Sequence, residues 1–139
     1  MASVVEEKLE TLRRCVRRVE DKRAASAEEL RKDADRQDIV ALNLTRAVQI
    51  CVDLAMHLIA ETDEPLPQTM GDAFDSLARL GLIDEELRMR MRAAVGFRNV
   101  AVHAYQQIDW NIVQAITWQH LDDFKRFARG IAAATKPSR

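Results

Sequence analysis

Apolar residues recur at helical intervals along most of this chain. From Ser3 to about Lys22, Val5, Leu9, Leu12, Val16 and Val19 alternate spacings of four and three, which predicts a helix with one apolar stripe. Ser26, with Glu29 three residues later, forms a capping box that opens the next helical region. Asp33, Asp35 and Asp38 then precede a strongly apolar run from Ile39 to Ala60. Val40, Leu44, Val48, Cys51, Ala55 and Leu58 line one face of that run, and Leu42, Ile50, Leu54 and Ile59 widen it. A helix apolar over so much of its circumference belongs at the centre of a bundle.

Two prolines between Thr62 and Pro67 end this helix. A shorter one is predicted from about Thr69 to Leu80, carrying Met70, Phe74 and Leu77, with Gly81 as its stop. Asp84 can cap a further helix bearing Leu87, Met91, Ala94 and Val95, which runs into Phe97 and Arg98. A last helix starts near Asp109 and carries Val113, Ile116, Phe124, Phe127 and Ile131; Thr135 to Arg139 are expected to be a polar, frayed tail. No β-alternation or internal repeat interrupts the pattern. The expected fold is all-α, an up-and-down bundle of about five helices in a single domain over residues 1–139.

Composition narrows the class. A chain of 139 residues can bury roughly 70% of its unfolded surface, so it needs no disulfide or metal to fold. Apolar residues make up 47% and charged residues 31%, a balance that excludes disorder. The net charge of −1 offers no global attraction to nucleic acid or membrane, so any RNA binding must be local. Cys15 and Cys51 lie within apolar helical patterns and read as buried thiols of a reducing compartment. The N-terminus runs straight into Glu6, Glu7, Lys8 and Glu10, with no apolar signal region, and a cytoplasmic protein is expected. No His, Cys and carboxylate cluster has ligand spacing, so neither a metal nor another cofactor is expected.

Chemistry concentrates in Gly96-Phe97-Arg98-Asn99-Val100-Ala101-Val102-His103-Ala104-Tyr105. Arginine offers a planar fork of donors suited to phosphate. Histidine can accept and return a proton near neutrality. Together they are the minimal parts for metal-free RNA cleavage: the imidazole activates the 2′-OH or protonates the leaving oxygen, and the guanidinium stabilises charge on phosphorus. Spacing imposes a condition. On a continuous helix Arg98 and His103 are about 140° apart, whereas Asn99 and His103 are i,i+4 neighbours. Either the helix breaks within the segment, or the two side chains meet in a groove. A surface salt bridge is the structural alternative for such a pair.

Gly96-Phe97-Arg98-Asn99, then His103-Ala104-Tyr105 and Ile108-Asp109, closely resembles the signature of the HepT-like toxins of the HEPN superfamily. Their motif is Arg, four to six residues with a polar first position, then His. The resemblance covers nearly the whole chain and implies a dimeric HEPN-like helical bundle acting as a metal-independent endoribonuclease. Arg98 and His103 match its catalytic pair and Asn99 the supporting polar residue. The implied partner is a minimal nucleotidyltransferase antitoxin of the MntA type. In that family the antitoxin transfers AMP from ATP to the tyrosine of the His-x-Tyr ending, here Tyr105. Bulk and phosphate charge two residues from His103 would repel an RNA backbone. A rival reading keeps the same residues without catalysis: a substrate-binding or regulatory subunit of a nucleotidyltransferase.

Other cations are candidates for RNA contact. Arg88, Arg90 and Arg92 lie just upstream of the motif, where they could gather phosphate. Arg13, Arg14, Arg17 and Arg18 form a basic ridge on the first helix, read as a solvated face mixed with Glu10, Glu20 and Asp21. His57 and His120 read as structural, and Trp110 and Trp118 as core or interface anchors.

Overall fold

The computed structural model describes residues 3–135. Helix α1 (Val4–Lys22) is capped by Ser3, whose side chain accepts from the Glu6 amide, and it buries the predicted stripe together with Cys15. Ser26 caps the short helix α2 (Ala27–Arg31), while Asp33 caps the long helix α3 (Ala34–Ile59). The predicted second region is therefore two helices, because the Asp33 carboxylate accepts from the Arg36 amide at 3.0 Å and restarts the chain ahead of Ile39. Arg36 also donates to the carbonyls of Lys22 and Arg23 at 2.9 and 3.0 Å, tying the open end of α1 to the start of α3.

Helix α3 is the axis of the bundle and packs against α1, α4, α5 and α7. It is long and apolar enough to cross a bilayer by length and composition, yet 56% of its most apolar window is buried inside the protein. Cys15 and Cys51 are free and buried, and burial raises both thiol pKa values. Helix α4 (Met70–Arg79) is capped by Thr69. Gly81 closes it with φ +76°, the one left-handed residue of the described backbone, so the Leu82 amide can reach back to the Leu77 carbonyl.

Helix α5 (Glu85–His103) follows its Asp84 cap, then a 3₁₀ turn (Tyr105–Gln107), helix α6 (Trp110–Ala115), a π-helical turn (Ile116–His120) and helix α7 (Leu121–Ala134). The last predicted helix is thus one rod with an extra residue in its middle. Arg23 donates to the Thr117 carbonyl at 3.0 Å within the π turn, and its guanidinium lies 3.7 Å from the Trp118 ring centroid. Phe74 of α4 meets Phe127 of α7 edge to face at 5.7 Å, both fully buried. Of the predicted tail, Lys136–Arg139 lie outside the described residues.

Candidate active site

Helix α5 positions the motif by anchoring only one side. Leu87, Met91 and Val95, one turn apart, are its buried residues, and beyond Val95 no residue of the helix is fully buried. Its last two turns therefore rise along the bundle surface with their polar side chains accessible. The helix runs unbroken to His103 and stops at Ala104, whose amide still reaches the Val100 carbonyl at 2.8 Å. The condition raised by spacing is thereby decided against a break: Arg98 and His103 point about 140° apart from the same rod. Tyr105, past the helix end, shares no helical face with Arg98.

His103 is exposed and Arg98 half-buried. The Arg98 Nη1 donates to Asn99 Oδ1 at 3.2 Å, so the amide steadies the guanidinium instead of the imidazole one turn away. The Arg98 Nε is buried and finds no partner among the described residues. An unspent charged donor is what a phosphate oxygen can satisfy once the side chain turns to present it.

On the other side of α5, Gly96, Phe97 and Val100 border a groove of about 440 Å³ closed by Leu44, Ile112 and Ile116. A Cβ added to Gly96 would meet nothing, and Ile112 is 57% exposed, so this face is open and apolar. His103, seven residues from Gly96, continues the same face. Arg90, His120 and Asp123 close the groove's far end, where Arg90 Nη1 donates to His120 Nδ1 at 2.8 Å and burial raises the Asp123 carboxyl pKa.

The three upstream arginines are not equally available. Arg88 and Arg92 each donate to one oxygen of Asp75 on α4 at 2.8 Å, and Arg88 also pairs with Glu85. These pairs fasten α4 to α5. Among the described residues, Arg90 has only the His120 ring and a 4.0 Å approach to Asp123. The first-helix ridge is exposed, with Arg13 paired to Glu10 at 3.0 Å.

Tyr105 is held by residues that local spacing could not reveal. Its hydroxyl donates to Asp38 Oδ1 at 2.5 Å, and its ring packs edge-on to Trp110 with centroids 5.8 Å apart. Asp38 lies 67 residues upstream, where it reads only as an acidic residue in the first turns of a helix. Burial first, then the hydrogen bond and charge of Asp38, raise the phenol's pKa above its ordinary value.

The profile of the family described as ribonuclease HepT-like matches residues 6–131. The chain is 34% identical over 133 residues to the mRNA nuclease HepT of Shewanella oneidensis strain MR-1, covering 96% of this chain and 99% of that protein. Its fold is similar to that of the tri-AMPylated Shewanella oneidensis HEPN toxin in complex with MNT antitoxin, with a TM-score of 0.88 at 34% identity over 96% and 99% of the two chains. It is also similar to a toxin–antitoxin bound to AMP-PNP, with a TM-score of 0.86 at 33% identity over 94% and 99%. With Arg98, Asn99 and His103 in place on the surface of an all-helical bundle, the chain belongs to the HepT-like ribonuclease family.

Proposed function

We infer that this chain is a cytoplasmic endoribonuclease toxin that cleaves RNA without a metal, through Arg98 and His103 supported by Asn99. The observation that carries the reading is Arg98 itself: one nitrogen steadied by Asn99, another buried and unpaired, on the same exposed helix end as an accessible imidazole. The guanidinium binds the scissile phosphate and stabilises the charge that builds on it. His103 takes the 2′-OH proton as that oxygen attacks phosphorus, and a proton returns to the departing 5′-oxygen. Because the two side chains diverge on one helix, a second copy lying across this helix end would bring the missing partner of each pair into reach.

The cognate partner is a nucleotidyltransferase antitoxin that attaches AMP to Tyr105. Similarity to a tri-AMPylated toxin held by an MNT antitoxin supports this, as does Tyr105 being the only tyrosine, exposed and two residues past His103. Expression of the chain alone should arrest growth and degrade RNA, and Arg98→Ala or His103→Ala should each relieve both. If both variants stay as toxic as the parent, the ribonuclease reading fails.

A further inference from the structure

The Tyr105 hydroxyl is not left to solvent. It donates to the Asp38 carboxylate at 2.5 Å, and the Trp110 ring, inclined at 67° to the phenol, packs against it. Asp38 makes no other hydrogen bond or ion pair among the described residues, so its carboxylate is committed to this phenol. The residue remains 38% exposed, so the side chain is not sealed inside the bundle.

A phenol in this setting is a poor nucleophile unless its proton departs as it reacts. Burial and the adjacent carboxylate both oppose a free phenolate, so ionisation before attack is disfavoured at neutral pH. The same carboxylate already accepts the phenol's hydrogen bond, so it is placed to take the proton during attack.

We propose that Asp38 is the general base for nucleotidylation of Tyr105, holding the phenol in place and taking its proton as the oxygen attacks the α-phosphorus of a nucleoside triphosphate. The step rests on Tyr105 being the acceptor, as read above. The Tyr105 Oη–phosphorus bond forms and the α–β anhydride bond breaks. Pyrophosphate departs with the electron pair, and the proton passes from Oη to Asp38 and then to solvent. The nucleotidyltransferase delivers the triphosphate; the toxin supplies nucleophile and base together.

The test uses the full chain, its neighbouring nucleotidyltransferase, ATP and Mg²⁺, with nucleotide addition followed by intact mass. Asp38→Asn keeps an oxygen to hold the phenol and removes only its basicity, whereas Asp38→Ala removes both. Asp38→Asn should lower the maximal rate of the first addition about 10²-fold or more. The ATP concentration at half-maximal rate, the melting temperature and the ribonuclease activity of the unmodified protein should be unchanged. Addition to Asp38→Asn at the parent's rate overturns the proposal. So does a slower rate matched by lost ribonuclease activity and a lower melting temperature, which would make Asp38 merely structural. Nucleotide found on Tyr105→Phe overturns instead the underlying reading of Tyr105.

Discussion

Arg98 and His103 stand five residues apart on one unbroken helix, which separates their side chains by about 140° around the axis and about 7.5 Å along it. That relationship is awkward for a pair acting on one phosphate from a single chain. It is natural for a site shared by two chains, each contributing the residue the other points away. Arg98→Ala and His103→Ala are then complementary lesions. Mixed after partial denaturation and refolding, two inactive variants should regain about a quarter of parental ribonuclease activity, since half of random pairs hold one intact site of two. A mixture as inactive as its components would place both groups in one chain.

The three arginines upstream should separate by salt dependence. Arg90 is the least committed, facing an imidazole and a distant carboxylate, so Arg90→Gln should flatten the slope of log affinity for RNA against log salt by about one. Arg88 and Arg92 are spent on Asp75, so Arg88→Gln and Arg92→Gln should lower the urea midpoint of unfolding while changing that slope less. Fluorescence anisotropy across a salt series, beside urea melts, reads both quantities.

Tyr105 should make the protein sensitive to alkali. Its folded-state phenol holds its proton more tightly than the unfolded chain does. The resulting stability is fully present below the ordinary tyrosine value of 10.0 and is lost as pH rises beyond it toward the folded value. Urea midpoints measured from neutral pH to about pH 11 should fall more steeply for the parent than for Tyr105→Phe. Parallel curves would mean that the Asp38 hydrogen bond is not kept in solution.

Phe127 joins α7 to α4 through its contact with Phe74 at the centre of the core. Phe127→Ala should cost about 3–5 kcal/mol, because the helices around it can close only part of the space left behind. Thermal and urea melts check this. His103→Ala, an exposed substitution, should stay within about 0.5 kcal/mol and serves as the matched control.

Much of this molecule is determined one helix at a time. The stripe of Val5, Leu9, Leu12, Val16 and Val19, the breadth of apolar surface between Ile39 and Ala60, and the caps at Ser26, Thr69 and Asp84 act through neighbours three and four residues away. A linear chain displays such relations directly, and they suffice for an all-α bundle and for a motif near a helix end. Two boundaries escaped the pattern. Asp33 restarts a helix where continuous apolar periodicity had not yet begun, and the π turn leaves little trace in spacing because the residues on both sides stay apolar.

Tertiary structure decided what depends on contacts across distant sequence. Arg88 and Arg92 look like free cations until Asp75 is brought beside them from α4. Asn99 looks like a partner for His103 until the Arg98 guanidinium takes its oxygen. Asp38 has no local mark at all, since only the packing of the turn after α5 against the start of α3 sets it on Tyr105. The residue types that make this chemistry possible are written in the chain. Which of their hydrogen-bonding capacities remain unspent is settled only when the helices meet.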